Sequence, residues 1–250
     1  MEYLAGRKFV KDITSFYTIQ EEDSVLIGKP NNASNSYTNV SMGGHYFDGN
    51  KNIVFDGTYI YFQASSGSVG FGRFNVFTWA YTFLTTGSTS GYTCMAGADD
   101  YLFLTNYTTA FRAMNKVGGA PFDWVTMPEN VYAVCVNSAQ TNFYLAGYNG
   151  NIYKVTRGMT ISTHMTSSLW TNTVVAMWCD SNENLYVTTG SASWRITNGV
   201  AYSISNVIPI NSGTYNASDN SIYYKRNING YNYFCKYSFS TETETILTVA

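Results

Sequence analysis

The run Val174-Val175-Ala176-Met177-Trp178-Cys179-Asp180-Ser181-Asn182-Glu183-Asn184-Leu185-Tyr186-Val187-Thr188, with Ser193-Trp194-Arg195-Ile196-Thr197 after it, decides the fold. Val174–Cys179 is continuously apolar and stops at Asp180-Ser181. Asp and Asn suit a tight hairpin there because their side chains hydrogen-bond the nearby backbone and tolerate left-handed geometry. Leu185–Thr188 is a second β-rich run, and Ser193–Thr197 alternates apolar with polar positions. The three read as strands A, B and C of one antiparallel unit, and Ala201-Tyr202-Ser203-Ile204 supplies strand D. Apolar residues on both faces of A and B place them between packed neighbours, whereas strand C turns Arg195 toward solvent or a groove.

Outward from this unit the pattern repeats. Arg73, Arg112, Lys154, Arg195 and Lys236 are separated by 39, 42, 41 and 41 residues, each between apolar or aromatic neighbours. Five of only 14 basic residues in one register is a repeat, not composition. A second marker agrees: β-rich runs begin at Val25, Tyr59, Tyr101, Phe143, Leu185 and Ile222, spaced by 34, 42, 42, 42 and 37. Turn residues precede most of them, at Asp56-Gly57, Asp99-Asp100, Asn137-Ser138, Asp180-Ser181 and Asp219-Asn220. A period near 42 in a strand-rich chain fits a four-stranded propeller blade. The unit resembles the blades of the broad propeller superfamily with NHL-type and YVTN-type repeats. The resemblance is strongest over residues 174–197, good over 131–157 and looser elsewhere, and it implies a fold more than a function.

The expectation is an all-β, single-domain chain spanning residues 1–250, a propeller of six four-stranded antiparallel blades. The blades fall near 1–45, 46–86, 87–129, 130–169, 170–208 and 209–250. The first unit lacks the basic marker, so five blades plus an N-terminal extension is the alternative. Thr245–Val249 is expected as an outer strand that closes the ring against the N-terminal blade. No helix of consequence is expected.

Charged residues are only 12% of the chain, aromatics are 17%, and the formal net charge is −2. No basic block supports nucleic-acid binding or attachment to an anionic membrane. The N-terminus lacks a secretory signal's basic start and apolar core, and no run approaches the roughly 18 apolar residues of a membrane span. A chain that starts at Met1 is therefore expected to fold in a cytoplasm, without membrane insertion. Cys94, Cys135 and Cys179 repeat within apolar runs and read as buried, reduced thiols.

Chemistry is sparse. His45 and His164 lie in different blades, without carboxylates or cysteines at ligand spacing, so no metal or other cofactor is expected. Asp180-Ser181-Asn182-Glu183-Asn184 mimics a calcium loop but has Leu185 where Gly is needed and Ser191 where Glu is needed. Propeller glycosidases need carboxylates converging on the central funnel. Here Asp56, Asp99, Asp180 and Asp219 share one turn position, which argues for turn formation. Asp48 and Asp123 remain without a named partner. The expectation is a protein that is not an enzyme.

The strand B to C loops are richer in signal: Ser65–Ser68, Asn106–Thr109, Gly147–Gly150, Gly190-Ser191 and Asn227–Gly230. Tyr with Ser, Gly and Asn is the composition of adaptable contact surfaces. Tyr107, Tyr148, Asn149 and Asn229 are the candidate binding residues, with Trp124 and Trp170 nearby as sugar-stacking or anchoring rings. The alternative for the two tryptophans is packing on the outer strand. A compact, charge-poor chain rich in Tyr, Asn, Thr and Gly, with no secretion signal, resembles tail and fibre proteins of tailed bacteriophages. That resemblance implies a structural or attachment component of a virion (tail, fibre or head decoration), partnered by other virion proteins and by a host surface glycan or receptor. A lectin-like module is the second reading and a glycan-active enzyme the third.

Overall fold

The computed structural model describes residues 17–19, 24–28, 37–41, 53–56, 58–63, 70–75, 77–78, 80–85, 92–171, 174–189, 191–204, 213–216, 219–229 and 231–249. Contacts group the chain into two compact units: one from residues within 1–90, 212–238 and 245–250, the other from 91–211 and 239–244.

In the first unit, β1 (Tyr17–Ile19), β2 (Ser24–Gly28) and β3 (Tyr37–Ser41) form one antiparallel sheet. A second contains β4 (Val54–Phe55), β5 (Tyr59–Gln63), β6 (Phe71–Asn75) and β7 (Tyr81–Phe83) in that order. The second unit opens with β8 (Cys94–Ala98), β9 (Tyr101–Thr105), β10 (Thr108–Asn115) and the long β11 (Phe122–Val136), and continues through β12 (Asn142–Gly147), β13 (Asn151–Thr156) and β14 (Ile161–Thr166). These seven strands run side by side in chain order. A 3-10 turn at Ser168–Trp170 leads to the sheet of β15 (Val174–Cys179), β16 (Leu185–Thr189), β17 (Ser193–Thr197) and β18 (Val200–Ser203). The last sheet holds β19 (Thr214–Asn216), β20 (Ser221–Ile228), β21 (Tyr231–Ser238) and β22 (Thr243–Val249), with β22 outermost beside β21.

The expected B strands are β2, β5, β9, β12, β16 and β20, and the five basic markers lie on β6, β10, β13, β17 and β21. Register explains why the cations recur. Arg73, Lys154, Arg195 and Lys236 each sit directly across from a tyrosine, Tyr61, Tyr144, Tyr186 and Tyr223, while Arg112 faces Leu104. The charged head of Lys236 finds a carboxylate, with Nζ 2.8 Å from Asp219, whereas the Arg73 guanidinium lies over the Tyr59 ring at 4.4 Å. Arg195 likewise pairs with Glu242, and Arg112 with Asp123 at 2.7 Å.

The division expected at residues 129 and 130 falls inside β11. Residues 122–126 of β11, and Val131 opposite Thr108, pair with β10, and residues 131–136 pair with β12, so the backbone passes from one four-stranded array to the next without a turn. Pro128 lies in the interval between them, where the β10 register shifts. Proline has no N–H to give a ladder and is tolerated at such irregularities.

The core of the second unit is aromatic at its centre. Phe103 lies 4.2 Å from Phe143 and 5.7 Å from Phe111, ring to ring, and Leu145, Ile152, Val155, Val187 and Ile196 are fully buried around them. Each such side chain contributes about 1.5–3 kcal/mol on burial, and the ring pairs about 0.5–1.5 kcal/mol more.

Candidate functional site

Two hairpins and one inner strand bring three tyrosines together in the second unit. Tyr107 occupies the tip between β9 and β10, Tyr148 the tip between β12 and β13, and Tyr132 lies on β11. Tyr107 meets Tyr132 edge to face at 4.7 Å, and Tyr132 stacks near-parallel to Tyr148 at 6.0 Å. Tyr107 and Tyr148 are 53% and 43% exposed, far from the burial expected of large rings in a core. Tyr107 also has φ +56°, a left-handed conformation uncommon for a bulky side chain. Asn106 Oδ1 accepts from Thr108 Oγ1 at 2.6 Å beside it.

The Tyr148 tip is fixed at several points. Its N–H donates to Asn130 O at 2.8 Å, and Gly150 (φ +82°) lets Ser167 N–H donate to Gly150 O at 3.0 Å. Glu129 lies beneath. Its Oε2 accepts from Asn149 N at 2.6 Å, and its Oε1 from Asn151 Nδ2 at 2.6 Å and Tyr153 OH at 2.9 Å. A Cβ on Gly147 would stand 2.4 Å from that carboxylate, so glycine makes the seat possible. Burial, then the bond to Glu129, pushes the Tyr153 phenol up to about 12. The Tyr132 phenol is raised by burial and then by Tyr148, Tyr107 and Glu129, so the same groups converge on its hydroxyl.

Of the candidates read from sequence, Tyr107, Tyr148 and Asn149 come together. Asn229 lies in the other unit, exposed at a hairpin tip with φ +53°. The two tryptophans are corrected. Trp170 is 0% exposed, its Nε1 donates to Gly150 O at 3.1 Å, and its ring meets Trp194 edge-on at 5.6 Å. Trp124 sits on β11 against Phe103 at 4.9 Å, Phe143 at 5.2 Å and Phe111 at 5.4 Å. Trp170 is wholly a packing group, and Trp124, half-buried, packs its inner side on the rings of neighbouring strands. Tyr132 escaped sequence reading because it lies within the apolar run Val131–Val136, and Glu129, Asn151 and Tyr153 because their hydrogen bonds join different strands. The Ser65–Ser68 loop, Gly190, His45 and Asp48 lie outside the described residues.

At Asp56, Asn137 and Asp180 the repeated turn residues do what their spacing suggested, whereas Asp219 accepts from Tyr223 OH and pairs with Lys236. Asp180 Oδ1 accepts from Asn182 N and Asn184 N, both at 2.8 Å, Asn137 Oδ1 from Thr141 N at 2.9 Å, and Asp56 Oδ1 from Tyr59 N at 2.9 Å. Asp99 pairs with Arg157, and Asp123 with Arg112. One titratable cluster joins two sheets: Glu183 accepts from Asn137 Nδ2 at 2.7 Å and from Tyr144 OH at 3.1 Å, and His164 meets Tyr144 at 5.1 Å. The bond from Asn137 leads in holding the Glu183 carboxyl below its ordinary range, while burial lowers His164. Among the described residues no group of three His, Cys, Asp or Glu could hold a metal ion, and no helix is long and apolar enough to cross a membrane. Cys94, Cys135, Cys179 and Cys235 are buried free thiols.

Compared by sequence, the chain matches no protein-family model and no curated protein. Its fold is similar to that of a chain in a nidogen/laminin complex, at TM-score 0.67 and 11% identity over 92% of this chain and 90% of that one. It is also similar to a Bacteroides thetaiotaomicron protein of unknown function, at TM-score 0.63 and 16% identity over 89% and 66% of the two chains. A third likeness is to virginiamycin B lyase from Staphylococcus aureus, at TM-score 0.57 and 10% identity over 81% and 70%. Four-stranded antiparallel sheets in chain order, together with these neighbours, give the chain the β-propeller fold.

Proposed function

We propose that this propeller works by contact and not by turnover, as a structural or attachment component of a bacteriophage virion. Its partners would be other virion proteins and a host surface glycan or receptor. The observation that carries the contact reading is the row of Tyr107, Tyr132 and Tyr148, with two of the three rings held in water. Exposed aromatic rings on a fixed backbone give a large contact area at low entropic cost, because tyrosine has only two side-chain torsions to freeze. The virion setting is supported by composition: 12% charged residues with 22 tyrosines suit a surface made of neutral polar groups. The fold accommodates more than one kind of work, since one neighbour was solved in a protein complex and another is a lyase. Contact is favoured over catalysis because Asp56 and Asp180 cap turns, Asp99, Asp123, Asp219 and Glu242 sit in ion pairs, and Glu129 and Glu183 accept hydrogen bonds from neighbouring amides and phenols. Six blades is the count we favour: it follows from the 42-residue period and the six B strands.

Particles built with Tyr107→Ala/Tyr148→Ala provide the test. Both positions are exposed hairpin tips, where substitution usually changes stability by under about 0.5 kcal/mol, whereas a contact anchor is worth about 2 kcal/mol or more in binding. The double variant should lose occupancy in the particle or adsorb to cells at least tenfold less well. Unchanged occupancy and adsorption would refute this role for the row, and polysaccharide cleavage by the purified chain would refute the non-enzymatic reading.

A further inference from the structure

The tyrosine row differs from an ordinary protein-docking patch in what surrounds it. Residues 105–109, 129–132 and 147–151, which build it, contain no lysine or arginine and a single acid, Glu129. Its fringe is neutral and hydrogen-bonding: Asn130, Asn149 and Thr109 are exposed, and Asn106 is half-buried beside Tyr107. An apolar protein surface pressed onto these rings would strand those amides and hydroxyls without water, at a cost for each. A partner that carries hydroxyls at the edge of an apolar face would satisfy both.

We infer that the row is a subsite for a neutral saccharide, an inference that rests on the contact function proposed above and names its ligand. A pyranose presents a C–H face whose weakly positive hydrogens suit the negative face of an aromatic ring. Tyr107 and Tyr148, 53% and 43% exposed, offer ring area to a sugar, with Tyr132 stacked on Tyr148 at 25° and meeting Tyr107 at 70°. The three phenols and Asn149 supply donors and acceptors for ring hydroxyls. Glu129 Oε2 accepts one protein bond, from Asn149 N, while a carboxylate oxygen has room for about two. That oxygen therefore keeps capacity for a sugar hydroxyl. Its charge also sets selectivity: with no cation in the row, uronic, sialic, sulfated and phosphorylated sugars meet repulsion without compensation. The site is ready-made, because Glu129, Asn130 and Ser167 already hold the Tyr148 hairpin.

The purified chain should be titrated with neutral probes (dextran, mannan, galactan, rhamnan and chitohexaose) and acidic ones (alginate and polysialic acid), following the tyrosine ring signals by NMR. At least one neutral probe should shift the signals of Tyr107, Tyr132 and Tyr148, and neither acidic probe should do so. Tyr107→Ala and Tyr148→Ala should each weaken that binding tenfold or more, while Tyr202→Ala, an exposed ring on β18, leaves it unchanged. No shift with any neutral probe, equal shifts with the acidic ones, or unchanged binding by both row variants would overturn the inference. The outcome is separable from that of the virion role. Loss of adsorption without saccharide binding would keep the contact function, give it a protein partner and remove the saccharide. Saccharide binding with unimpaired adsorption would do the reverse.

Discussion

At the residue scale, much of this propeller is a matter of which side chain stands opposite which. Tyr144 faces Lys154 across the ladder, and its hydroxyl reaches Glu183, to which Asn137 also donates. Tyr61 and Tyr223 instead donate to an aspartate at their own hairpin, Asp56 or Asp219, each at 2.7 Å. Where the carboxylate comes from Glu183, the local turn residue is Asn137, which supplies a donor in place of a second acid. Asn137→Asp should therefore destabilise the fold by about 1–3 kcal/mol, because a buried acceptor replaces the donor to a carboxylate. Adding Glu183→Gln should restore most of that loss, since the new amide donates back, and a double-mutant cycle from urea unfolding reads the coupling. The same cluster sets acid sensitivity. His164 is lowered from its ordinary 6.5 and Glu183 from its ordinary 4.5, so the unfolded chain binds more protons than the folded one. Stability is then full above pH 6.5, falls as His164 is driven to protonate below it, and falls again below pH 4.5 with Glu183. His164→Gln should flatten the first decline and Glu183→Gln the second in unfolding measured from pH 7 to 3. Gly150→Ala should cost about 2–4 kcal/mol in thermal unfolding, since φ is +82° and the new Cβ would lie 1.9 Å from Ser167 O.

At the element scale, β8, β11 and β15 each carry a thiol: Cys94 opens β8, Cys135 lies near the end of β11 and Cys179 closes β15. Burial raises Cys135 well above its ordinary range, reinforced by Cys179 and Cys94, and burial with Asp180 pushes Cys179 up to about 12. A thiol reagent at pH 8 should leave all four cysteines unlabelled in the native protein over minutes and label all four in denaturant. Rapid native labelling of any of the three would contradict their place on the inner strands. These strands were legible in the sequence because their apolar runs and Asx turns are local signals. The cations on β6, β10, β13, β17 and β21 were legible because each faces a ring or apolar side chain and so keeps its register. What local signals do not carry is contact between hairpins. Tyr132 lies in an apolar run, and its ring contacts come from Tyr107 and Tyr148 at the tips of two other hairpins. For Trp124 and Trp170 the residue type alone left anchoring and packing both open, and the contacts that decide for packing come from other strands. The continuity of β11 is not carried by the 42-residue period, which marks where one unit gives way to the next but not whether the backbone turns there.

At the scale of the whole molecule, the claim is that a charge-poor propeller binds through neutral aromatic and amide groups. Binding of its partner should then change less than about twofold between 50 and 200 mM salt, whereas a surface that neutralises several phosphates would lose orders of magnitude. A tenfold loss would point to a charged surface elsewhere. The most direct measurement is oxidative footprinting of Tyr107 and Tyr148 in the free chain and in particles adsorbed to host envelopes. Met159, on the hairpin at the opposite end of the β13–β14 pair, is 50% exposed and serves as the internal reference. The account predicts ready oxidation of both tyrosines in the free chain and at least fivefold protection in adsorbed particles, with Met159 less affected. Equal oxidation of Tyr107 and Tyr148 in both states, or protection confined to Met159, would contradict it.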